Sequence, residues 1–221
     1  GRMSKQFAVL GLGSFGWSVA LTLEKMGADV LVVDESFEKI QEISEQVSYA
    51  VKADVSDPEA LEALGGRNLD GAVVAVSENF EASIMATMLC KEMGIPLVLA
   101  KAKDKLQGTI LKKVGADRVV YPEIEMGSRV AKSLVSREFM DWIELSKDYS
   151  MVEIAVPDKW VGRNLVDINA RERLGINVVG IIINGKIDVT LDPQKPLPEG
   201  GILIVIGAND VLEKFDSKKK L

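Results

Sequence analysis

Along the first two thirds of the chain, short β-branched runs alternate with longer segments whose apolar residues recur at three- and four-residue intervals. The short runs are Phe7–Leu10, Val30–Asp34, Tyr49–Lys52, Ala72–Val76, Leu97–Ala100 and Arg118–Tyr121. Between and after them, the helical spacing predicts helices over Phe15–Met26, Phe37–Glu45, Pro58–Leu64, Phe80–Met93, Leu106–Lys113 and Glu125–Ser136. Strands that alternate with helices of this length close into a parallel sheet covered on both faces, so the pattern predicts an α/β, Rossmann-type doubly wound domain over 4–136. Local punctuation agrees: Gly27, Gly94 and Gly115 each follow a predicted helix end, and Pro58 sits where a first helical turn tolerates a missing N–H.

After Tyr149 the period changes. Extended runs at Met151–Val156, Val178–Ile183, Lys186–Val189 and Leu203–Ile206 surround one predicted helix at Leu165–Arg173, which makes a small α+β domain over 149–216. Asn184-Gly185 between two apolar runs predicts a tight hairpin, because both central residues of a type I′ turn take positive φ. The stretch 137–148, which contains Phe139 and Trp142, is expected to be a connector.

Composition narrows the function classes. The formal charge of −6 carries no basic stripe beyond Lys218, Lys219 and Lys220, so nucleic acid is not an expected partner. No run approaches the ~20 apolar residues of a membrane span, and a single cysteine, Cys90, builds no disulfide framework, so a cytoplasmic address is expected. Gly1 and Arg2 ahead of Met3 are expected to be a remnant of expression. The chain has no histidine, which removes the commonest general acid-base group and the commonest metal ligand together.

Gly11-Leu12-Gly13-Ser14-Phe15-Gly16 follows a predicted strand and opens a predicted helix, the context that a dinucleotide fingerprint requires. Gly11 permits the tight turn, Gly13 lets backbone approach a pyrophosphate, and Gly16 allows close helix–strand packing. Phosphate oxygens then meet free N–H groups at the positive end of the helix dipole. Asp34 ends the second strand 18 residues after Gly16, where a carboxylate accepts from a ribose hydroxyl and disfavours a 2′-phosphate. Glu35 stands beside it. Asp54, Ser77 and Asn79 lie at the carboxyl ends of later strands, where they either contact the nucleoside or serve as turn and helix-cap residues. Lys101 either approaches a phosphate or carboxylate or is solvated, and Glu123 with Glu125 either meets a cation or another subunit or complements the dipole of the helix they open. Cys90, on an apolar helix face, reads as an inert buried thiol.

Together, Phe7-Ala8-Val9-Leu10-Gly11-Leu12-Gly13-Ser14-Phe15-Gly16, Val33-Asp34, Ala53-Asp54, Val74-Ala75-Val76 and Gly115-Ala116-Asp117-Arg118-Val119-Val120-Tyr121-Pro122-Glu123 resemble the RCK (KTN) domain of the TrkA/KtrA potassium-uptake regulators. Leu174-Gly175-Ile176-Asn177-Val178-Val179-Gly180-Ile181 and Leu197-Pro198-Glu199-Gly200-Gly201-Ile202-Leu203 resemble the C-terminal RCK (TrkA-C) domain of the same family. The resemblance implies a non-enzymatic regulatory subunit. It would be assembled as a ring of dimers, commonly an octamer, beneath a membrane-embedded potassium-translocating subunit of the TrkH/KtrB type, and gated by ADP/ATP or NAD/NADH. It places Gly11, Gly13, Phe15 and Gly16 at the phosphates, Asp34 at a ribose, and Asp54, Val55, Val76 and Asn79 around the nucleoside. It puts Glu123 at a dimer interface near the phosphates; Ser14, Glu35, Ser77 and Lys101 complete the candidate set.

Many KtrA-like members have arginine where this chain has Ser14; without that guanidinium, ADP, NAD or NADH compete more strongly with ATP. The resemblance also implies a cyclic di-AMP site at Arg171, Ile176, Asn177, Val178 and Pro193. From the residues alone the alternative is an NAD-dependent oxidoreductase, for which a β-rich tail of about seventy residues without histidine is a poor substrate domain.

Overall fold

In the computed structural model, which describes residues 4–62, 64, 68–135 and 139–214, strands and helices alternate through the first part of the chain. They are β1 (Gln6–Leu10), α1 (Ser14–Lys25), β2 (Asp29–Asp34), α2 (Phe37–Ile43), β3 (Tyr49–Lys52), α3 (Pro58–Glu62), β4 (Gly71–Val74), α4 (Phe80–Glu92), β5 (Leu97–Lys101), α5 (Lys105–Lys113), β6 (Arg118–Val120) and α6 (Pro122–Val135). The six strands pair in parallel in the order β3-β2-β1-β4-β5-β6. Side chains of successive strand residues point to opposite faces. Accordingly Val9, Val30 and Val32 pack with Ala20, Ile40 and Ile43 on one face, while Leu10, Leu31 and Val33 pack with Leu61, Ala86 and Leu111 on the other. Strands buried on both faces read as continuous apolar runs, which is why Val30-Leu31-Val32-Val33 shows no alternation. The strand order reverses between β1 and β4, leaving a crevice at their carboxyl ends.

The second sheet is antiparallel. Its elements are β7 (Phe139–Glu144), β8 (Tyr149–Ala155), a 3-10 turn (Asp158–Trp160), α7 (Leu165–Ile168), α8 (Ala170–Leu174), β9 (Ile176–Ile183), β10 (Lys186–Asp188), β11 (Ile202–Ala208) and α9 (Asn209–Lys214). The order is β10-β9-β11-β8-β7, over a core of Trp142, Val152, Ile154, Trp160, Ile181, Leu203 and Leu212. Asn184 and Gly185 both take positive φ, at 50° and 76°, as the hairpin between β9 and β10 requires.

Three expectations need correction. The expected connector contains β7, which pairs with β8 and buries Trp142; a register shift between Phe139 and Asp141 breaks the alternation that marks a strand. The single helix expected at Leu165–Arg173 is two short helices, parted at Asn169, whose φ of 51° is left-handed. A further helix, α9, closes the second sheet through Leu212. Ser136, the expected end of α6, lies outside the described residues.

The chain divides into two compact units, Gly1–Glu125 and Met126–Leu221, so the division falls inside α6 and not at its end. The later turns of α6 belong with β7: Arg129 Nε donates to Asp141 Oδ1 at 2.7 Å, a second guanidinium nitrogen reaches Asp141 Oδ2, and Lys132 pairs with Glu144. The two parallel bonds between one guanidinium and one carboxylate fix geometry as well as charge.

Asp117 performs a similar task in the first unit. Its Oδ2 accepts from the Val98 N–H at 2.7 Å and from Lys91 Nζ at 3.0 Å, and these bonds hold its carboxyl below the usual range. A depressed folded-state pKa contributes stability that is present above the unfolded value of about 4 and is lost as pH falls through the folded one. Thermal midpoints recorded from pH 6 to pH 3 are therefore expected to fall less steeply for Asp117→Asn than for wild type; parallel slopes would remove Asp117 from the acid response.

Candidate functional site

Backbone crowding explains two of the fingerprint glycines. Gly11 donates its N–H to the Val33 carbonyl at 2.8 Å with φ of +100°, and a Cβ there would lie 2.8 Å from the Ala75 carbonyl oxygen. A Cβ on Gly16 would lie 2.0 Å from the Gly11 carbonyl oxygen. Gly13 is different: its would-be Cβ meets only the Ser77 side chain, with Oγ at 2.9 Å. Gly13 is also the N-cap of α1, offers no side-chain acceptor, and is followed by no acidic residue in the first turn. By contrast Ser36, Asn79 and Asp104 cap α2, α4 and α5 with side-chain oxygens. The first amides of α1 thus receive no side-chain oxygen from their capping residue, an arrangement that can accept an anion.

Asp34 faces this turn from β2. Its Oδ2 accepts from the Leu12 N–H at 2.7 Å and its Oδ1 from the Ser36 N–H at 2.8 Å, so the carboxylate braces the glycine-rich turn and the start of α2. Each oxygen keeps a lone pair for a further donor. Asp54 Oδ1 accepts from the Ser56 hydroxyl at 2.7 Å and its N–H at 2.9 Å; the hydroxyl, then the N–H, lower its pKa, and the neighbouring Glu35 side chain adds to the effect. Asn79 caps α4 through the Ala82 N–H at 3.1 Å. Ser77 does not cap; its Oγ accepts from Lys101 Nζ at 3.1 Å, and the same ammonium pairs with Glu123 Oε1 at 2.6 Å. That bond to Lys101 is the main cause holding the Glu123 carboxyl below its usual range.

These elements enclose a cleft of about 320 Å³, within the size range of small-ligand sites. Of the expected residues, Gly11, Gly13, Asp34, Glu35, Asp54, Val55, Val76, Ser77 and Asn79 line it. Ser14 and Phe15 stand in the first turn of α1 outside that lining, Gly16 is buried in the helix–strand contact, and Lys101 and Glu123 lie behind Ser77. The residue reading overlooked Leu12, Lys39, Ala75, Glu78 and Ala82. Lys39 had a legible signal, since the third residue of a helix that follows Asp34 faces the same crevice. With Asp34, Glu35, Asp54 and Glu78 around it, the cleft favours hydroxyl and amine donors and disfavours a 2′-phosphate.

In the second unit, Arg171 Nε donates to Asn177 Oδ1 at 2.9 Å with both residues exposed. Ile176 is 2% exposed and Val178 packs against the same core, so their side chains serve the fold; Pro193 is exposed and its carbonyl accepts from the Val166 N–H at 3.1 Å. Cys90 is fully buried, and burial pushes its thiol up to about 12. Native protein is accordingly expected to be inert to a disulfide probe at pH 8 and to release one equivalent of thiolate product on denaturation; rapid native labelling would show that α4 opens.

Residues 7–122 match the TrkA-N domain and residues 150–220 the TrkA-C domain. The chain belongs to the TrkA family of potassium uptake proteins. Among TrkA-family relatives, the Ktr system potassium uptake protein C of Bacillus subtilis is 37% identical over 98% of both chains. The Ktr system potassium uptake protein A of the same organism is 34% identical over 97% of both. The GsuK channel bound to NAD superposes with a TM-score of 0.66 at 18% identity, a likeness of fold; this TrkA-family chain is covered to 95% and spans 38% of that one. Among the described residues, no helix is long and apolar enough to cross a membrane.

Proposed function

We propose that the chain is a cytoplasmic regulatory subunit of a bacterial potassium uptake system and that an adenine nucleotide in the glycine-rich cleft is its control ligand. One observation carries this reading: an uncapped α1, a glycine whose side-chain space is open to a ligand, and a carboxylate braced at the end of β2 converge on one cleft. They do so in a chain 37% identical, nearly end to end, to a Ktr system potassium uptake protein. The family's role in potassium uptake supplies the output, and the cleft supplies the input. No chemical step is required, only different ligand affinities in two states of an assembly.

The ligand is ADP, ATP, NAD or NADH; the acidic rim weighs against NADP, and NAD binding by the GsuK channel supports the dinucleotides on fold alone. The assembly is a ring of dimers, octameric as the family resemblance implies, beneath a TrkH/KtrB-type membrane subunit. It is supported by α6, which buries none of its side chains and leaves Ile124, Met126, Val130, Leu134 and Val135 exposed. Cyclic di-AMP binds the second unit, where the exposed Arg171 guanidinium, oriented by Asn177, is suited to a phosphate.

The test is rubidium flux through proteoliposomes that carry the KtrB-type membrane subunit from the same organism. Added protein is expected to make flux respond to ADP or ATP, and Gly13→Val to abolish the response; flux indifferent to both protein and nucleotide would refute the regulatory role.

A further inference from the structure

A surface helix ordinarily turns its apolar stripe inward and its charges to solvent. The later turns of α6 do the reverse. Arg129, Lys132 and Ser133, spaced to share one side of the helix, are the half-buried residues there, whereas Met126, Val130, Leu134 and Val135 are exposed. The charged side meets β7 of the same unit: Arg129 Nε donates to Asp141 Oδ1 at 2.7 Å, a second guanidinium nitrogen reaches Oδ2, and Lys132 pairs with Glu144 while its ammonium stands 5.5 Å from the centre of the Trp142 ring. Asp141 lies opposite Glu153 across the β7–β8 ladder, where like charges repel, so Arg129 also neutralises a pair of carboxylates. No side chain of α6 is buried, so apolar packing adds little to this attachment. The paired side chains are 25–58% exposed and within reach of mobile ions.

We propose that the later turns of α6 form an electrostatic latch on β7 that rising ionic strength opens, which makes the subunit responsive to the salt that its own transport system accumulates. Opening by salt rests on the geometry of α6 and β7; its use as feedback rests on the proposed role in potassium uptake. Screening acts on both sides of the equilibrium. It weakens the attraction of Arg129 and Lys132 for the carboxylates, and it softens the repulsion between Asp141 and Glu153 that release of Arg129 uncovers. Released Asp141 still accepts from the Trp142 N–H at 2.8 Å, so it keeps a donor. The Debye length falls from roughly 14 Å at about 0.05 M salt to roughly 4 Å at about 0.5 M, close to the separation of the paired groups. Exposed pairs are individually weak, and an attachment near balance is one that a modest change in screening moves. The apolar side of α6, assigned above to the assembly, lies away from β7, so assembly need not cover the latch. Salt leaves that apolar hold unscreened and loosens only the charged one.

Hydrogen exchange of amides 128–135 in the full chain, followed in KCl from about 0.05 M to about 0.5 M with the amides of α4 as internal reference, tests this. Protection of α6 relative to α4 is expected to fall about threefold in wild type, the scale of two exposed ion pairs. NaCl is expected to act as KCl does, and sucrose of equal osmolality to change nothing. In the double variant Arg129→Gln, Lys132→Gln, protection is expected to be low at every salt concentration. Salt-independent protection in wild type, an effect of KCl that NaCl does not reproduce, or an undiminished salt response in the double variant each overturns the proposal. The second of these results would point to a bound potassium ion and the third to dissociation of the assembly, which light scattering on the same samples would show. The wild-type titration decides the matter even if the variant does not fold. Flux in proteoliposomes that ignores the protein contradicts the regulatory role and with it the feedback, whereas salt-independent exchange removes the latch and leaves that role standing.

Discussion

Gly13→Val is expected to lower adenine-nucleotide affinity about 100-fold or more, roughly 2.7 kcal/mol, while leaving the thermal midpoint within a few degrees of wild type. The two halves of that expectation have separate causes. Within the protein the new Cβ meets only the end of the Ser77 side chain, at 2.9 Å, and a serine hydroxyl can change rotamer. The cost to the fold is therefore small. Toward the cleft, however, the branched side chain occupies the space through which a phosphate approaches the first amides of α1, and Gly13 is the N-cap of that helix. Calorimetry on a variant first shown to melt like wild type is the check. Undiminished affinity would place the ligand elsewhere.

Gly16→Ala is expected to fail in the opposite way, through the fold. Its Cβ would sit 2.0 Å from the Gly11 carbonyl oxygen, an atom held by the backbone of the turn, and 3.0 Å from the Ala75 Cβ. No rotamer relieves such an overlap, so α1 must move off β1 and β4 and disturb the packing of the buried strand ends. Overpacking of this kind costs about 3 kcal/mol, which lowers the midpoint of the first unit by roughly 9–15 °C. Circular dichroism melts decide it: a variant as stable as wild type would mean that the helix can shift freely against the sheet. Two positions three residues apart in one motif thus separate ligand approach from helix packing.

The glycine-rich turn is legible in the sequence because backbone geometry demands it: Gly11 needs its positive φ and Gly16 its missing Cβ. Asp34 is equally visible as a carboxylate at a fixed distance from that turn. Its second task, accepting from the Leu12 and Ser36 N–H groups, leaves no trace because every residue but proline carries that donor. The Ser77–Lys101–Glu123 chain is invisible for another reason. Its members follow β4, end β5 and open α6, and only the sheet order β4-β5-β6 brings them side by side. In the second unit, β7 is hidden by its register shift, and the break between α7 and α8 by an asparagine that a helical pattern tolerates. Ile176 satisfies the family pattern for a ligand contact and yet lies in the core, since a strand residue next to an exposed one points inward.

The central claim is that an adenine nucleotide occupies the glycine-rich cleft of an assembled, non-enzymatic subunit. Titration calorimetry with ADP, ATP, NAD and NADH, run beside light scattering on the same sample, tests it most directly. Tight binding of at least one of these ligands by a particle several times the monomer mass is the predicted result. A monomer that binds none of them, or one that binds only NAD and turns over a hydroxylated substrate, would contradict it.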